Sequence, residues 1–182
     1  MQLRSLAIVF GLAVMCGSSS LDAQQHIQVP TQEPRAEDVS SLDGILKAFY
    51  EVISGPAGQP RQWGRDRTLY LPDIRFVQTS VDRSGKVTAE VMTHQEFVDG
   101  SDAAMVKNGF FEIEIHRETR TFGNVSTILS TYEMRSKPEG PVFGRGINSL
   151  QVFWDGKRYW IASVVWDDER PGNPIPKDLL GE

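Results

Sequence analysis

Residues 146–166, GINSLQVFWDGKRYWIASVVW, hold an Asp155-Gly156 pair between two apolar runs. That dipeptide between alternating segments is the strongest short-range signal for a β-hairpin, and it points the chain to folds with a long antiparallel strand pair. A tight turn there sets Asn148 opposite Ser163. One face then reads Leu150, Val152, Trp154, Tyr159, Ile161 and Val165, with only Asn148 and Ser163 polar. A buried amide or hydroxyl left unpaired costs about 1–3 kcal/mol. The two groups are therefore expected to line a pocket or to satisfy each other.

A second hairpin precedes it. FFEIEIHRETRTFGNVSTILSTYEMR turns at Gly123-Asn124, and pairing Phe122 with Val125 sets Ile115 opposite Tyr132 and Ile113 opposite Met134. One face collects Phe111, Ile113, Ile115, Ile128, Tyr132 and Met134. The other collects Glu112, Glu114, His116, Glu118, Arg120, Glu133 and Arg135, with Glu112 opposite Arg135. A single register sorting both strands is what one buried face demands.

The helices come earlier. EDVSSLDGILKAFYEVISG places Val39, Leu42, Ile45, Leu46, Phe49 and Ile53 on one helical face, capped at Asp38 or Ser40 and stopped at Gly55-Pro56. A shorter helix is expected around Trp63–Leu71, ended by Pro72. IRFVQTSVDRSGKVTAEVMT reads as two strands about a turn at Asp82–Gly85. Thr93-His94-Gln95-Glu96 has the spacing of a capping box and opens a third helix ending near Gly109. Early helices followed by four long strands make an α+β domain, with helices covering one face of a curved, mainly antiparallel sheet.

Arg4, an apolar run from Leu6 to Met15, and small residues up to Ala23 predict a secretory signal over residues 1–23. The run is too short to span a bilayer, which takes about 20 residues. Met15 is bulkier than lipid-attachment processing at Cys16 normally tolerates, so cleavage after Ala23 and an exported, periplasmic or secreted product are expected. Beyond Ala23 no cysteine remains, which excludes a disulfide scaffold and a cysteine nucleophile. Residues 24–36 are polar with two prolines and read as a flexible leader; residues 37–182 form the domain. A net charge of −5 without a basic block argues against nucleic acid or anionic membranes as partners, and no membrane insertion is expected.

The stretches AFYEVISGPAGQPRQWGRDRTLYLPDIRF, GRGINSLQVFWDGKRYWI and WDDERPGNPIPKDLL, in this order of elements, resemble the NTF2-like superfamily, and within it an exported bacterial group without assigned activity. The superfamily includes ketosteroid isomerases and SnoaL-type cyclases. The resemblance implies a cone in which helices and the concave sheet face enclose a pocket. It also implies a homodimer formed by the convex face, here the stripe containing Phe153, Trp160, Val164 and Trp166, which left in water would be a large apolar patch. The fold hosts enzymes, binders and assembly modules alike.

Pocket candidates are Ser130, Tyr132, Asn148 and Ser163, with Arg117 near one end and Tyr50 and Trp63 from the helical layer. A mostly apolar cavity with a few convergent polar groups is the usual form of a small-molecule site. In the resembling isomerases the catalytic Asp lies five residues beyond the Asp that starts the first strand. Counting from Asp73 reaches Gln78, an amide that cannot act as a base. Asp99 and His94 are the replacements on offer, while His116 is read as a surface residue between Glu114 and Glu118. The three histidines show no metal-ligand spacing, and neither a metal nor a cofactor is expected. Gly144 and Gly146 read as a bulge or a close packing contact, and Leu179 and Leu180 as anchors of a C-terminal arm. Three functions stand open: a binder of a small apolar molecule near Tyr132 and Asn148, a lyase, isomerase or cyclase with an unrecognised base, and a dimeric assembly module without ligand.

Overall fold

The computed structural model describes residues 26–82 and 84–182. The signal segment 1–23 and Cys16 lie outside the described residues. Among the described residues four α-helices form: α1 (Ala36–Val39), α2 (Leu42–Ile53), α3 (Trp63–Arg67) and α4 (His94–Asn108). The strands are β1 (Phe76–Val81), β2 (Val87–Met92), β3 (Phe111–Phe122), β4 (Val125–Arg135), β5 (Val142–Trp154) and β6 (Tyr159–Asp168). No helix among the described residues is long and apolar enough to cross a membrane.

The expected first helix is broken in two. Ser41 is the N-cap of α2, its hydroxyl accepting from the Gly44 amide at 3.0 Å. Ile45, Leu46, Phe49 and Ile53 are buried along one face of α2, as their spacing requires. The Thr93/Glu96 capping box forms at the start of α4. Gly109 ends that helix with φ of 73°, a left-handed value that other residues adopt only with strain.

The strands form one six-stranded sheet in the order β2-β1-β6-β5-β4-β3, with β1 parallel to β6 and every other pair antiparallel. Helices α2, α3 and α4 cover its concave side. Ile128, Leu150, Val152, Ile161 and Val164 supply the sheet half of the core. The C-terminal 3-10 turn, Lys177–Leu180, packs on the outer face of β3 and β4, where the Leu179 carbonyl accepts from Thr131 Oγ1 at 2.5 Å. Within the stretch expected as a flexible leader, residues 24–36, Ile27 is bonded to α4. The Ile27 amide donates to Asp99 Oδ1 at 2.8 Å, and Gln95 Nε2 donates to the Ile27 carbonyl at 2.8 Å.

Register is where the structure departs from the sequence reading. Phe122 pairs with Val125 as expected, and the pairing runs true as far as His116 opposite Thr131. Ile115 is then an extra residue, so Glu114, not Ile115, faces Tyr132, and Glu112 faces Met134 rather than Arg135. A bulge of one residue turns every side chain beyond it to the other face. Glu112 and Glu114 therefore point inward, and Ile113 and Ile115 outward.

The last hairpin changes twice. Asp155–Arg158 form a four-residue loop, with Trp154 opposite Tyr159, because Asp155 Oδ1 accepts from the amides of Lys157 and Arg158. Ala162 is then extra, so Gln151 faces Ser163 and Asn148 faces Trp166. The expected Asn148–Ser163 pair does not exist.

The same bulge dissolves the convex stripe. Val164 is buried in the core and Trp166 sits on the concave side, opposite Asn148. Of the four residues expected to form a dimer face, Phe153 and Trp160 remain outside. The Trp160 ring is covered by the Arg158 guanidinium at 3.7 Å, and its Nε1 donates to Asp155.

Candidate functional site

The concave side encloses a cavity of about 560 Å3. Its inner wall is Phe49 and Ile53 from α2, Tyr70, Phe76 from β1, and Val164 and Trp166 from β6. Its mouth lies between β2 (Glu90, Val91) and α4 (Glu96, Gly100). The volume falls in the range of sites for small organic molecules, roughly 300–1,000 Å3.

Four polar side chains converge at the β3–β6 end: Glu112, Tyr132, Asn148 and Asp168. Asn148 Nδ2 donates to Glu112 Oε1 at 3.1 Å and to the Tyr50 hydroxyl at 3.3 Å. A carboxylate only accepts, so this fixes the amide with both hydrogens spent. Tyr50 lies 2.6 Å from Ser130 Oγ, and Ser130 in turn donates to Glu114. Arg117 holds Glu114 through Nε at 3.0 Å and reaches Asp43 at 2.7 Å. A directional chain therefore runs from the cavity floor to the surface behind it. On the other flank, the Tyr132 hydroxyl donates to Asp168 Oδ1 at 2.6 Å.

Glu112 is the most perturbed carboxyl in this group. Burial against the aromatic wall, reinforced by the negative charge of Asp168, pushes it from the ordinary 4.5 to about 7 against the opposing pull of the Asn148 amide. Burial, then the charge of Glu112, drives the Tyr132 hydroxyl well above its usual range, so it stays protonated and donates.

Of the residues expected in the pocket, Tyr132 and Asn148 line it. Tyr50 and Ser130 stand one layer behind, joined to it through Asn148. Arg117 is farther along β3, opposite Ser130, in ion pairs with Glu114 and with Asp43 of α2. Trp63 lies within the helical layer, its Nε1 donating to Asp102 at 2.6 Å. Ser163 faces away, turned by the Ala162 bulge. Gln78, the position reached by counting from Asp73, does line the cavity.

Neither replacement base reaches the site. Asp99 is engaged by His26, the Ile27 amide and Gln95. His94 is buried beneath α3, with Nε2 2.8 Å from Asp66 Oδ2, while the Tyr70 hydroxyl donates to Asp66 Oδ1 at 2.8 Å. Glu112 and Asp168 were missed by sequence reasoning because both lie beyond a bulge. The neighbouring glycine was the usable signal. A Cβ at Gly146 would collide with the Tyr132 hydroxyl and the Asp167 carbonyl, so the glycine is what lets Tyr132 stand against Asp168. Gly146→Ala is expected to lower stability by about 1–3 kcal/mol through overpacking. It should also shrink the cavity; chemical denaturation and a crystal structure of the variant would check both.

No protein-family model and no curated protein matches the chain. Solved structures do. A protein of unknown function with a cystatin-like fold from Nostoc punctiforme aligns with a TM-score of 0.52 at 10% identity, covering 76% of this chain and 96% of its own. An NTF2-like protein of unknown function from Shewanella baltica gives 0.47 at 12% identity, over 69% and 89% of the two chains. One from Silicibacter pomeroyi gives 0.45 at 12%, over 71% and 94%. The α+β architecture implied by the sequence is the fold of this chain, and it is shared with the cystatin-like fold of the Nostoc punctiforme protein.

Proposed function

We propose that this protein binds a small, largely apolar molecule in the cone cavity and that Glu112 moves a proton on it, the chemistry of an isomerase or lyase. The observation that carries the reading is a near-neutral carboxyl facing an apolar cavity. A general base works best with a proton affinity near the operating pH, and burial is the usual means of raising a carboxylate to that value. Asn148 holds Glu112 in place, and Tyr132 and Asp168 flank the ligand. The signal sequence at residues 1–23 makes export part of the same proposal.

A second reading, binding without turnover, is favoured by one observation. The Tyr132 hydroxyl and both Asn148 amide hydrogens are committed to protein acceptors, which leaves few donors to stabilise a developing negative charge.

Two measurements separate the readings. Carbon-13 NMR of labelled glutamate should show the Glu112 carboxyl titrating near pH 7. Titration at an ordinary carboxylate value removes the base and leaves the binder. Gly100 lies at the cavity mouth with open space where its Cβ would be, so Gly100→Trp is expected to block entry without disturbing the fold. Native mass spectrometry should find a co-purified small molecule on the wild type and none on Gly100→Trp. The same ligand on both would place it elsewhere.

A further inference from the structure

We propose that the cavity selects an organic cation, an amine or quaternary ammonium carried on an apolar body. The inference rests on the cavity being a small-molecule site and names the class of molecule it takes. Three independent features of the lining converge on it.

The first is charge. Glu90, Glu96, Glu112 and Asp168 line the cavity, and among the described residues no lysine, arginine or histidine does. Glu96 is held ionised first by the Thr93 amide and hydroxyl and least by the charge of Arg75, which is not part of the lining. A neutral or anionic guest would leave the charges of Glu112 and Asp168, close enough to act on each other, uncompensated. A cation between them relieves their repulsion.

The second is hydrogen-bond polarity. With the Tyr132 hydrogen on Asp168 and both Asn148 hydrogens on Glu112 and Tyr50, the floor presents acceptors. They are the remaining oxygens of Glu112 and Asp168 and the Asn148 Oδ1. Asn148 is 3% exposed, lines the cavity, and its Oδ1 has no partner among the described residues. Away from this floor, Gln78, Ser101 and the Trp166 indole are the lining side chains that keep a donor for a carbonyl or carboxylate guest.

The third is the wall. Phe76, Phe97, Phe110, Tyr70, Tyr132 and Trp166 surround the acceptors with aromatic rings. Ring faces attract a cation within about 6 Å, most strongly where water is excluded. Aromatic faces around a carboxylate pair suit a charged head on a greasy body better than either an alkane or an acid.

Calorimetric titration of the full chain at pH 8 with three benzyl probes tests this: benzyltrimethylammonium, its neutral carbon isostere neopentylbenzene, and the anion phenylacetate. The cation is expected to bind about tenfold or more tighter than the isostere, with phenylacetate weakest. Glu112→Gln and Asp168→Asn, both near-isosteric, should each cost the cation about tenfold while moving neopentylbenzene by less than about twofold. Gly100→Trp should abolish binding of the cation and so place it in the cavity. Neopentylbenzene binding as tightly as the ammonium, or an ammonium affinity indifferent to both substitutions, overturns the charge selection while leaving the cavity reading intact. Failure of all three probes to bind overturns both.

Discussion

Glu112→Gln is expected to make the protein more stable at pH 8 and to abolish proton transfer in the cavity. The folded state raises the Glu112 carboxyl from 4.5 to about 7, so between those values the native protein holds a proton that the unfolded chain has released. Stability linked to this group is therefore fully present below about pH 4.5 and is lost as pH rises through about 7. At about 1.4 kcal/mol per tenfold change in proton affinity, the penalty reaches roughly 3 kcal/mol above neutrality. Glutamine has nearly the same shape, accepts from Asn148 through its carbonyl oxygen, and never ionises. Urea denaturation at pH 4, 6 and 8 should show wild type and variant converging at low pH and separating at high pH, the variant on top. Parallel curves would mean that Glu112 ionises as an ordinary surface carboxylate, and the base would have to be sought elsewhere. The opposite signs make the prediction sharp, because a residue that serves only packing does not become more stable and less active in one substitution.

That such a residue escaped sequence reasoning has a definite cause. Alternation along a strand carries parity but not count. The Leu42–Ile53 helical face, the Thr93–Glu96 box, the turn of the first long hairpin and the overall α+β order were all legible, since each rests on local chemistry within a few residues. Tyr132 and Asn148 were legible too, because β4 and β5 pair without a break from Val125–Phe153 to Met134–Gly144. What failed is everything beyond an inserted residue. Ile115, Phe143 and Ala162 each add one position to a strand bent around the cone. Bulges of this kind are how a long strand bends, and each flips the residues past it.

The consequence falls on the site itself. In Phe111-Glu112-Ile113-Glu114-Ile115, hydrophobicity argues for burying the isoleucines, and a one-residue slip buries the acids instead. Burying carboxylates opposes the hydrophobic pattern, and the structure tolerates it only because Asn148, Ser130 and Arg117 supply donors. Ser163 and Trp166 exchanged faces for the same reason at Ala162. The polar residue expected inside went out, and the tryptophan expected outside became cavity wall.

The helical layer that closes the cavity has its own dependence on buried charge, and Asp38→Ala is expected to expose it. Asp38 on α1 and Arg65 on α3 are 2% and 7% exposed. Arg65 donates to both oxygens of Asp38, Nε at 2.8 Å and Nη2 at 2.7 Å, and Nη2 also reaches Glu51 on α2 at 2.9 Å. Hydrogen bonding to Asp38 is the chief reason the guanidinium holds its proton even more tightly than usual. One side chain thus ties three helices together. Removing its main partner leaves a cation in a space from which water is largely excluded, a loss of about 3–5 kcal/mol for a buried pair. Glu51, partly open to solvent, retains one contact, which places the expected loss near the lower figure. The cost belongs to the orphaned charge rather than to the packing lost with the carboxylate. Asp38→Ala combined with Arg65→Met should accordingly be more stable than Asp38→Ala alone, although it lacks one more hydrogen-bonding group. Denaturation midpoints of the two variants decide the point. If the double variant is the weaker, Arg65 holds the helices by its packing and its bonds to Glu51 and Gln62, and the ion pair with Asp38 contributes little.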